Sequence, residues 1–245
     1  MKSYYMFKRI TGLFLVPCSL MLLSFFMQKD NTLTEAEKKA GWKLLFDGKT
    51  LNGWRPYKNQ AADCWGVKDG EIYCKENQPG GKRADLVTNE QYENYELSFD
   101  WRIAPGGNSG LIYHVTENAS ASYLSGPEYQ LIDDQGYSHP LEESQRSGSD
   151  YDMYSPTANA TKPAGQYNTS KIVVKGAHRE HWLNGVKVVE LEAWSDDWKK
   201  RKAASKWKDL PEWGMAKKGH ICLQDHGGGV WFKNIKIRPI DVKGK

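Results

Sequence analysis

Length, composition and charge are those of a globular protein that buries a sizeable core. The chain has 245 residues, of which 39% are hydrophobic and 26% charged, as is ordinary for a soluble domain. The formal net charge is +4, but the first 31 residues hold four of the 34 basic and one of the 30 acidic side chains. This leaves 30 basic against 29 acidic residues, a net charge of +1, which argues against a nucleic-acid partner.

The N-terminus has the pattern of a targeting segment. Lys2, Lys8 and Arg9 precede an apolar run from Leu13 to Met27, which is typical of a secretory signal and short for a membrane span. We therefore expect residues 1–31 to direct the chain across an inner membrane, to the periplasm.

The remaining residues, 32–245, are predicted to form a single domain without a membrane span. Cys18 would suit a lipid anchor. Pro17, however, stands where that motif needs a small residue, so lipid anchoring is the weaker alternative.

Beyond the signal segment, the chain begins with a short helix and continues in strands and turns. Thr34 is a suitable N-cap for a helix over 34–40. Dipeptides of Asp-Gly and Asn-Gly then recur, and these favour tight hairpins. They stand at residues 47–48, 52–53, 69–70 and 184–185.

Two hairpins are predicted most clearly. Trp65–Lys68 should pair with Glu71–Cys74. Lys171–Lys175 should pair with Glu180–Leu183, which continues through Asn-Gly to Val186–Leu191. No long helical pattern follows, so the sequence predicts an all-β fold.

Aromatic residues are frequent, with 10 Trp and 13 Tyr. We expect most of them to pack between two sheets, the alternative being indole faces that stack on sugar rings. Ser195–Met215 holds three of the tryptophans and a lysine cluster. We expect this segment to be an inserted loop or short helix over the sheet, with the Lys/Arg cluster at residues 199–202 on a solvated face rather than in a site.

Cys64 and Cys74 fall on the two strands of the first hairpin. In an oxidising compartment they could form a disulfide. The alternative is two unpaired thiols that are buried as small hydrophobic groups.

Several strands alternate apolar and polar residues with a period of two, as strands do when one face of a sheet covers the core. If these strands are neighbours, their polar faces form one surface that is rich in titratable and bidentate hydrogen-bonding groups. Its members would be Asp100, Arg102, His114, Glu128, Gln130, Gln224 and His226.

Five motifs in this order resemble the 3-keto-disaccharide hydrolase family. They are Gly41–Trp54, Gly106–Tyr113, Gly126–Asp134, Glu180–Gly185 and Leu223–Gly227. The resemblance covers residues 41–240. It implies a concanavalin A-like jelly-roll sandwich of two antiparallel sheets with few short helices. It also implies action on 3-keto-glucosides or 3-keto-disaccharides, whose C3 hydroxyl has been oxidised to a ketone.

A C3 ketone acidifies the C2 proton, so the glycosidic bond can break by β-elimination or by net hydrolysis. Such a site needs a base near C2, hydrogen-bond donors for the enolate oxygen, and an acid near the leaving oxygen. Glu128 and His226 are the catalytic candidates from the alternation pattern. The alternatives are a cross-strand pair for Glu128 and a structural histidine for His226.

The other candidate site residues are polar or aromatic groups expected on the same surface. The predicted substrate-binding residues are Arg102, Asn108, His114, Gln130, Trp182 and Gln224. For Arg102 a structural salt bridge is the alternative, and Asp225 is expected to orient His226 or to cap the turn.

No metal or cofactor is predicted. An oxygen-rich loop at residues 133–143 could hold a divalent ion that polarises the ketone, but its spacing fits no EF-hand. Two further interpretations stay open from the sequence, namely a non-catalytic carbohydrate-binding module on the same fold and a structural protein of the cell envelope.

Overall fold

The computed structural model describes Met1 and residues 28–77 and 79–241. Most of the predicted signal segment lies outside the described residues. Within them, no helix is both long and apolar enough to cross a membrane.

The described residues form thirteen strands and two α-helices. The strands are β1 (Lys43–Leu44), β2 (Trp54–Pro56), β3 (Trp65–Lys68), β4 (Glu71–Cys74), β5 (Leu86–Thr88), β6 (Tyr95–Ile103), β7 (Asn108–Val115), β8 (Glu128–Ile132), β9 (Asn168–Lys175), β10 (His178–Leu183), β11 (Val186–Glu192), β12 (His220–Leu223) and β13 (Val230–Pro239). The helices are α1 (Glu35–Lys39) and α2 (Asp196–Ala204).

The strands pair into two antiparallel sheets. The eight-stranded sheet has the order β11-β10-β9-β6-β13-β4-β3, with β1 also beside β13. The five-stranded sheet has the order β2-β5-β12-β7-β8. The predicted class, an all-β jelly-roll sandwich of two antiparallel sheets with few short helices, is confirmed.

The core lies between the two sheets because alternate residues of each strand point inward. In the eight-stranded sheet, β6 buries Phe99 and Trp101, and in the five-stranded sheet β8 buries Tyr129 and Leu131. Burying a large apolar side chain of this kind contributes about 1.5–3 kcal/mol. The intervening polar residues of each strand therefore face away from the core.

The two predicted hairpins are confirmed. Asp69 and Gly70 both have positive φ, as do Asn184 and Gly185, which is the backbone that a two-residue turn between twisted strands requires. These turns join β3 to β4 and β10 to β11.

The predicted N-terminal helix is confirmed as α1, and its cap is the reason it begins there. The Thr34 hydroxyl accepts from the Glu37 N–H at 3.1 Å, and the Glu37 carboxylate accepts from the Thr34 N–H at 2.8 Å. This reciprocal capping satisfies backbone N–H groups that have no partner inside the helix.

The last residues of the predicted signal segment contact the domain. The Asn31 backbone N–H donates to the Asn234 side chain at 2.6 Å, and the Asn31 amide donates to the Gly70 carbonyl at 2.8 Å. Lys233 pairs with Asp30 at 2.7 Å. The boundary of the signal segment stays a prediction.

The predicted insertion at 195–215 contains α2 and a stack of three indoles. Trp207 and Trp198 lie parallel to Trp213, with centroids at 4.7 and 6.2 Å. The stack packs against residues of β11 and against Met153. This packing fixes the loop that follows α2.

Candidate active site

A cavity of about 300 Å³ opens on the polar face of the five-stranded sheet. Strands β7 and β8, the segment after β12, and three loops line it. Its residues are Asn108, Tyr123, Glu128, Gln130, Tyr151, Lys206, Gln224 and His226. Five of the eight predicted site residues are thus brought together, including both catalytic candidates.

The floor of the cavity is buried although it is polar. Glu128 is 5% exposed, Gln130 1% and Gln224 7%. Gly110 on β7 makes room for the Glu128 carboxyl group, because a Cβ at that position would lie 2.7 Å from Glu128 Cδ. Any side chain larger than glycine would displace the glutamate.

Two carbonyl oxygens of the cavity residues have no partner. Five buried side-chain atoms among the described residues lack one, and two of these are Asn108 Oδ1 and Gln224 Oε1. Buried polar atoms in folded proteins are nearly always satisfied. Both are acceptors, so they suit the hydroxyl donors of a ligand.

Burial raises the pKa of Glu128 to about 8, and the Lys206 charge opposes this rise. A desolvated carboxylate is unfavourable, and the opposing effects of Lys206 and of a hydrogen bond with Gln224 do not offset the burial. The carboxyl group therefore keeps its proton at neutral pH and is a hydrogen-bond and proton donor at the cavity floor.

The rim carries three residues that the sequence analysis did not single out: Tyr123, Tyr151 and Lys206. Tyr123 is 41% exposed. The Lys206 ammonium lies 4.0 Å from the ring centroid of Tyr151 and 4.3 Å from that of Trp207. Desolvation lowers the pKa of Lys206, while Glu128 raises it. The adjacent Trp207 is the sequence signal that this lysine, although exposed, lies over an aromatic ring at the cavity rim.

The backbone on either side of the exposed His226 is fixed by the contacts of Asp225. The Asp225 carboxylate pairs with Arg83 and caps the turn by accepting from the Gly227 N–H at 3.0 Å. The Asp225 N–H donates to Asp85 Oδ1 at 2.7 Å. Of the two roles expected for Asp225, the cap of the turn is the one observed.

Asp85 ties together two segments that line the cavity. One oxygen accepts from the Asp225 N–H, and the other accepts from the Ser122 hydroxyl. Tyr123 follows Ser122, and His226 follows Asp225. One carboxylate therefore fixes the distance between the segments that carry Tyr123 and His226.

The chain matches, over residues 41–238, the family model described as the 3-keto-alpha-glucoside-1,2-lyase-like domain. It is 34% identical over 234 residues to a 3-keto-disaccharide hydrolase from Bacteroides thetaiotaomicron, across 82% of this chain and 79% of that protein. The chain belongs to the 3-keto-disaccharide hydrolase family.

Solved structures of similar chains agree with this membership. A proposed glycosyl hydrolase from Parabacteroides distasonis is 40% identical, with a TM-score of 0.81 over 87% of this chain and all of that one. A second from the same organism is 27% identical, with a TM-score of 0.62 over 81% of this chain and 99% of that one.

In this member of the 3-keto-disaccharide hydrolase family, two predicted binding residues lie on the eight-stranded sheet, whereas the cavity lies on the five-stranded one. Arg102 is on β6, where it pairs with Glu71 at 3.1 Å and stacks 3.9 Å from the Trp231 centroid. Trp182 is on β10, where its indole N–H donates to Glu180 at 2.7 Å. Both strands belong to the eight-stranded sheet, so the predicted placement of these two residues is wrong.

His114 is also misplaced, because β7 is irregular at this residue. His114 has φ of 54° and is 2% exposed. Its Nε2 lies 3.0 Å from the Glu93 carbonyl oxygen. Burial lowers its pKa to about 4, so the ring is neutral. The irregularity reverses the alternation of inward and outward side chains along β7, so the His114 side chain points into the protein.

The cysteine pair is present as free buried thiols, as the second sequence interpretation expected. Cys74 Sγ lies 3.4 Å from Asp225 Oδ1 and 3.3 Å from Arg83 Nη2. Cys64, Cys74 and Asp225 place their ligand atoms within 4.8 Å of one another. The Arg83 guanidinium, however, already brings its positive charge to this cluster.

The oxygen-rich loop uses its first two carboxylates for its own structure. Asp133 accepts from the Gly106 and Gly136 N–H groups at 2.8 and 3.0 Å. Asp134 accepts from the Ser147 N–H and the Thr161 hydroxyl, both at 2.9 Å. These bonds fix the turn after β8.

Proposed function

We propose that this protein cleaves 3-keto-glucosides or 3-keto-disaccharides, with Glu128 as proton donor and His226 as base. The observation that carries the proposal is the cavity, where a buried protonated carboxyl group and an imidazole line one space with unpartnered acceptors. Membership of the 3-keto-disaccharide hydrolase family supports the substrate class.

The chemistry begins at C2 of the oxidised sugar. His226 removes the C2 proton, and imidazole is the commonest general base in proteins. Charge then develops on the C3 oxygen, and the Lys206 ammonium on the rim stabilises it in a partly dehydrated site. The C1–O bond breaks as the electron pair of the enolate forms the C1–C2 double bond.

Glu128 gives its proton to the leaving oxygen. Its raised pKa keeps the proton on the carboxyl group at neutral pH, which is the condition for a general acid. Water can then add to the enone, so the net reaction is hydrolysis, or the enone is released as the product of a lyase.

The amide side chains bind and orient the sugar. Gln130 Oε1 accepts from the Leu131 N–H at 3.0 Å, which leaves its amino group for the ligand. Asn108 and Gln224 offer acceptors. Sugar hydroxyls supply both donors and acceptors, so the set suits a pyranose ring.

The test is product analysis by NMR after incubation with 3-keto-trehalose and with 3-keto-glucosides of both anomers in deuterated water. We expect release of the leaving group, together with either solvent deuterium at C2 of the hydrolysed 3-keto sugar or an enone product that carries no proton at C2. Unoxidised trehalose is the negative control, and Trp182→Phe is a protein control outside the cavity. No release from any oxidised substrate would refute the proposal.

The second candidate is a carbohydrate-binding module without catalysis, because unpartnered acceptors would bind any sugar. It predicts tight binding of unoxidised glycans that Glu128→Gln and His226→Ala leave unchanged. Calorimetric titration of both variants separates it from the first candidate.

A further inference from the structure

A second cavity, of about 470 Å³, lies beside the first and shares two of its walls. One wall is the turn at residues 122–125, where Tyr123 lines the first cavity and Leu124 the second. The other wall is the loop after α2, where Lys206 lines the first cavity and Leu210 the second. The two spaces therefore border the same two segments of the chain.

Direct contacts hold these two walls together. The Trp213 indole N–H donates to the Tyr123 carbonyl at 3.1 Å, and the Gly214 N–H donates to the Ser125 carbonyl at 3.0 Å. Trp213 also stacks on Trp207 at 4.7 Å. The second cavity thus has a fixed position relative to Lys206 and Glu128.

The lining of the second cavity is largely apolar, and Glu212 is its one charged residue. The apolar side chains that a ligand would meet are Ala119, Leu124, Leu210, Pro211, Met215 and Ala216, with the buried Trp213 behind them. Met215 is 45% exposed, and Tyr123, on the shared wall, is 41% exposed. Among the described residues, Met1 and Val186 are the other large hydrophobic side chains with such exposure. Exposed apolar groups at a concave surface favour an apolar ligand.

We propose that this second cavity binds an apolar leaving group, an alkyl or aryl aglycone, of the glycoside cleaved in the first. The inference rests on the proposed function and adds its substrate class. A second sugar is disfavoured, because Trp213 is fully buried in its stack and offers no indole face. The volume is within the range of small-ligand sites.

The kinetic test compares methyl and cyclohexylmethyl 3-keto-glucosides, whose leaving alcohols have similar acidity. We expect kcat/KM to be roughly tenfold higher for the cyclohexylmethyl substrate, as apolar contacts of this size provide. Met215→Glu should lower that preference severalfold. Val186→Glu is the matched control, an equally exposed apolar residue on β11, and it should leave the preference unchanged. Equal kcat/KM for the two substrates, or a preference that survives Met215→Glu, would overturn the inference.

A binding measurement separates this inference from the proposed function. Saturation-transfer NMR with unoxidised cyclohexylmethyl glucoside should show transfer to the cyclohexyl protons in the native protein and in Val186→Glu. Met215→Glu should weaken the transfer. If this pattern holds while no oxidised substrate is cleaved, the proposed function fails and the apolar site stands. If oxidised substrates are cleaved without the pattern, the apolar site fails.

Discussion

The polar faces of the two sheets differ in whether their side chains find partners. On the eight-stranded sheet, Arg102 pairs with Glu71 at 3.1 Å and Arg238 with Glu96 at 2.7 Å. On the five-stranded sheet, buried acceptors of Asn108 and Gln224 have no partner within the described structure. Because folded chains satisfy nearly all buried polar groups, unmet hydrogen-bonding capacity around a cavity is the better mark of a ligand site.

The largest effect on activity should come from Glu128, the carboxyl group on the five-stranded sheet, where buried acceptors lack partners among the described residues. Glu128→Gln keeps the shape but removes the proton, and we expect kcat/KM for a 3-keto-glucoside to fall at least ~100-fold. Steady-state kinetics measure this. Retained activity would mean that the carboxyl group has a structural role. The five-stranded sheet would then no longer be distinguished from the eight-stranded one as the site of catalysis.

The pH dependence follows from the same carboxyl group. A pKa of about 8 means that kcat/KM should fall as pH rises above 8, because the acid loses its proton. Stability should change as well. In the unfolded chain Glu128 ionises near its ordinary value, so between about pH 5 and 8 the native state binds more protons and the free energy of unfolding declines with pH.

Glu128→Gln should remove part of that decline in the free energy of unfolding. Asp150, whose pKa burial raises to about 7, should account for a further part. Thermal melts of the native protein and the variant at pH 5 and pH 9 test this. A change in melting temperature between pH 5 and pH 9 that is the same in the native protein and in Glu128→Gln contradicts the assigned protonation.

The second largest effect on activity should come from Gly110, whose backbone lies beside the Glu128 carboxyl group. In Gly110→Ala the new methyl group overlaps the Glu128 carboxyl group, so the acid moves and activity should fall ~10- to 100-fold. Gly185→Ala is a control for a general loss of stability, since its positive φ strains an added side chain and no atom lies near the added group. Activity should survive in the control alone.

The sequence predicts on which side of a strand a residue lies better than it predicts which of the two sheets the strand joins. Glu128 and Gln130 were placed correctly because alternation along one strand fixes their side. Arg102 was misplaced because β6 pairs with β9 and β13, and pairing of distant strands depends on the whole fold. His114 was misplaced by a local irregularity, and Lys206 was missed because an indole stack positions it.

A smaller effect on activity should follow from removing Asp85, which joins two segments of the cavity rim. Asp85→Ala removes the acceptors of both the Ser122 hydroxyl and the Asp225 N–H, so we expect roughly tenfold lower kcat/KM and a loss of about 1–3 kcal/mol in the free energy of unfolding. Ser122→Ala removes one of these bonds and should have the smaller effect. Asp85→Asn, which keeps an acceptor, should restore most activity. If it behaves like alanine, the charge of Asp85 matters rather than its geometry.

The smallest effect should come from the face whose side chains are already paired. Arg102→Met retains the apolar stem but removes the ion pair with Glu71 and the contact with Trp231. Because both partners are partly exposed, the free energy of unfolding should fall by only about 1 kcal/mol. Urea unfolding measures this loss, and Glu71→Gln should reproduce most of it. Unchanged kcat/KM in both variants would place this face outside the site, whereas a loss of activity in Arg102→Met alone would mean that the paired face also meets the substrate.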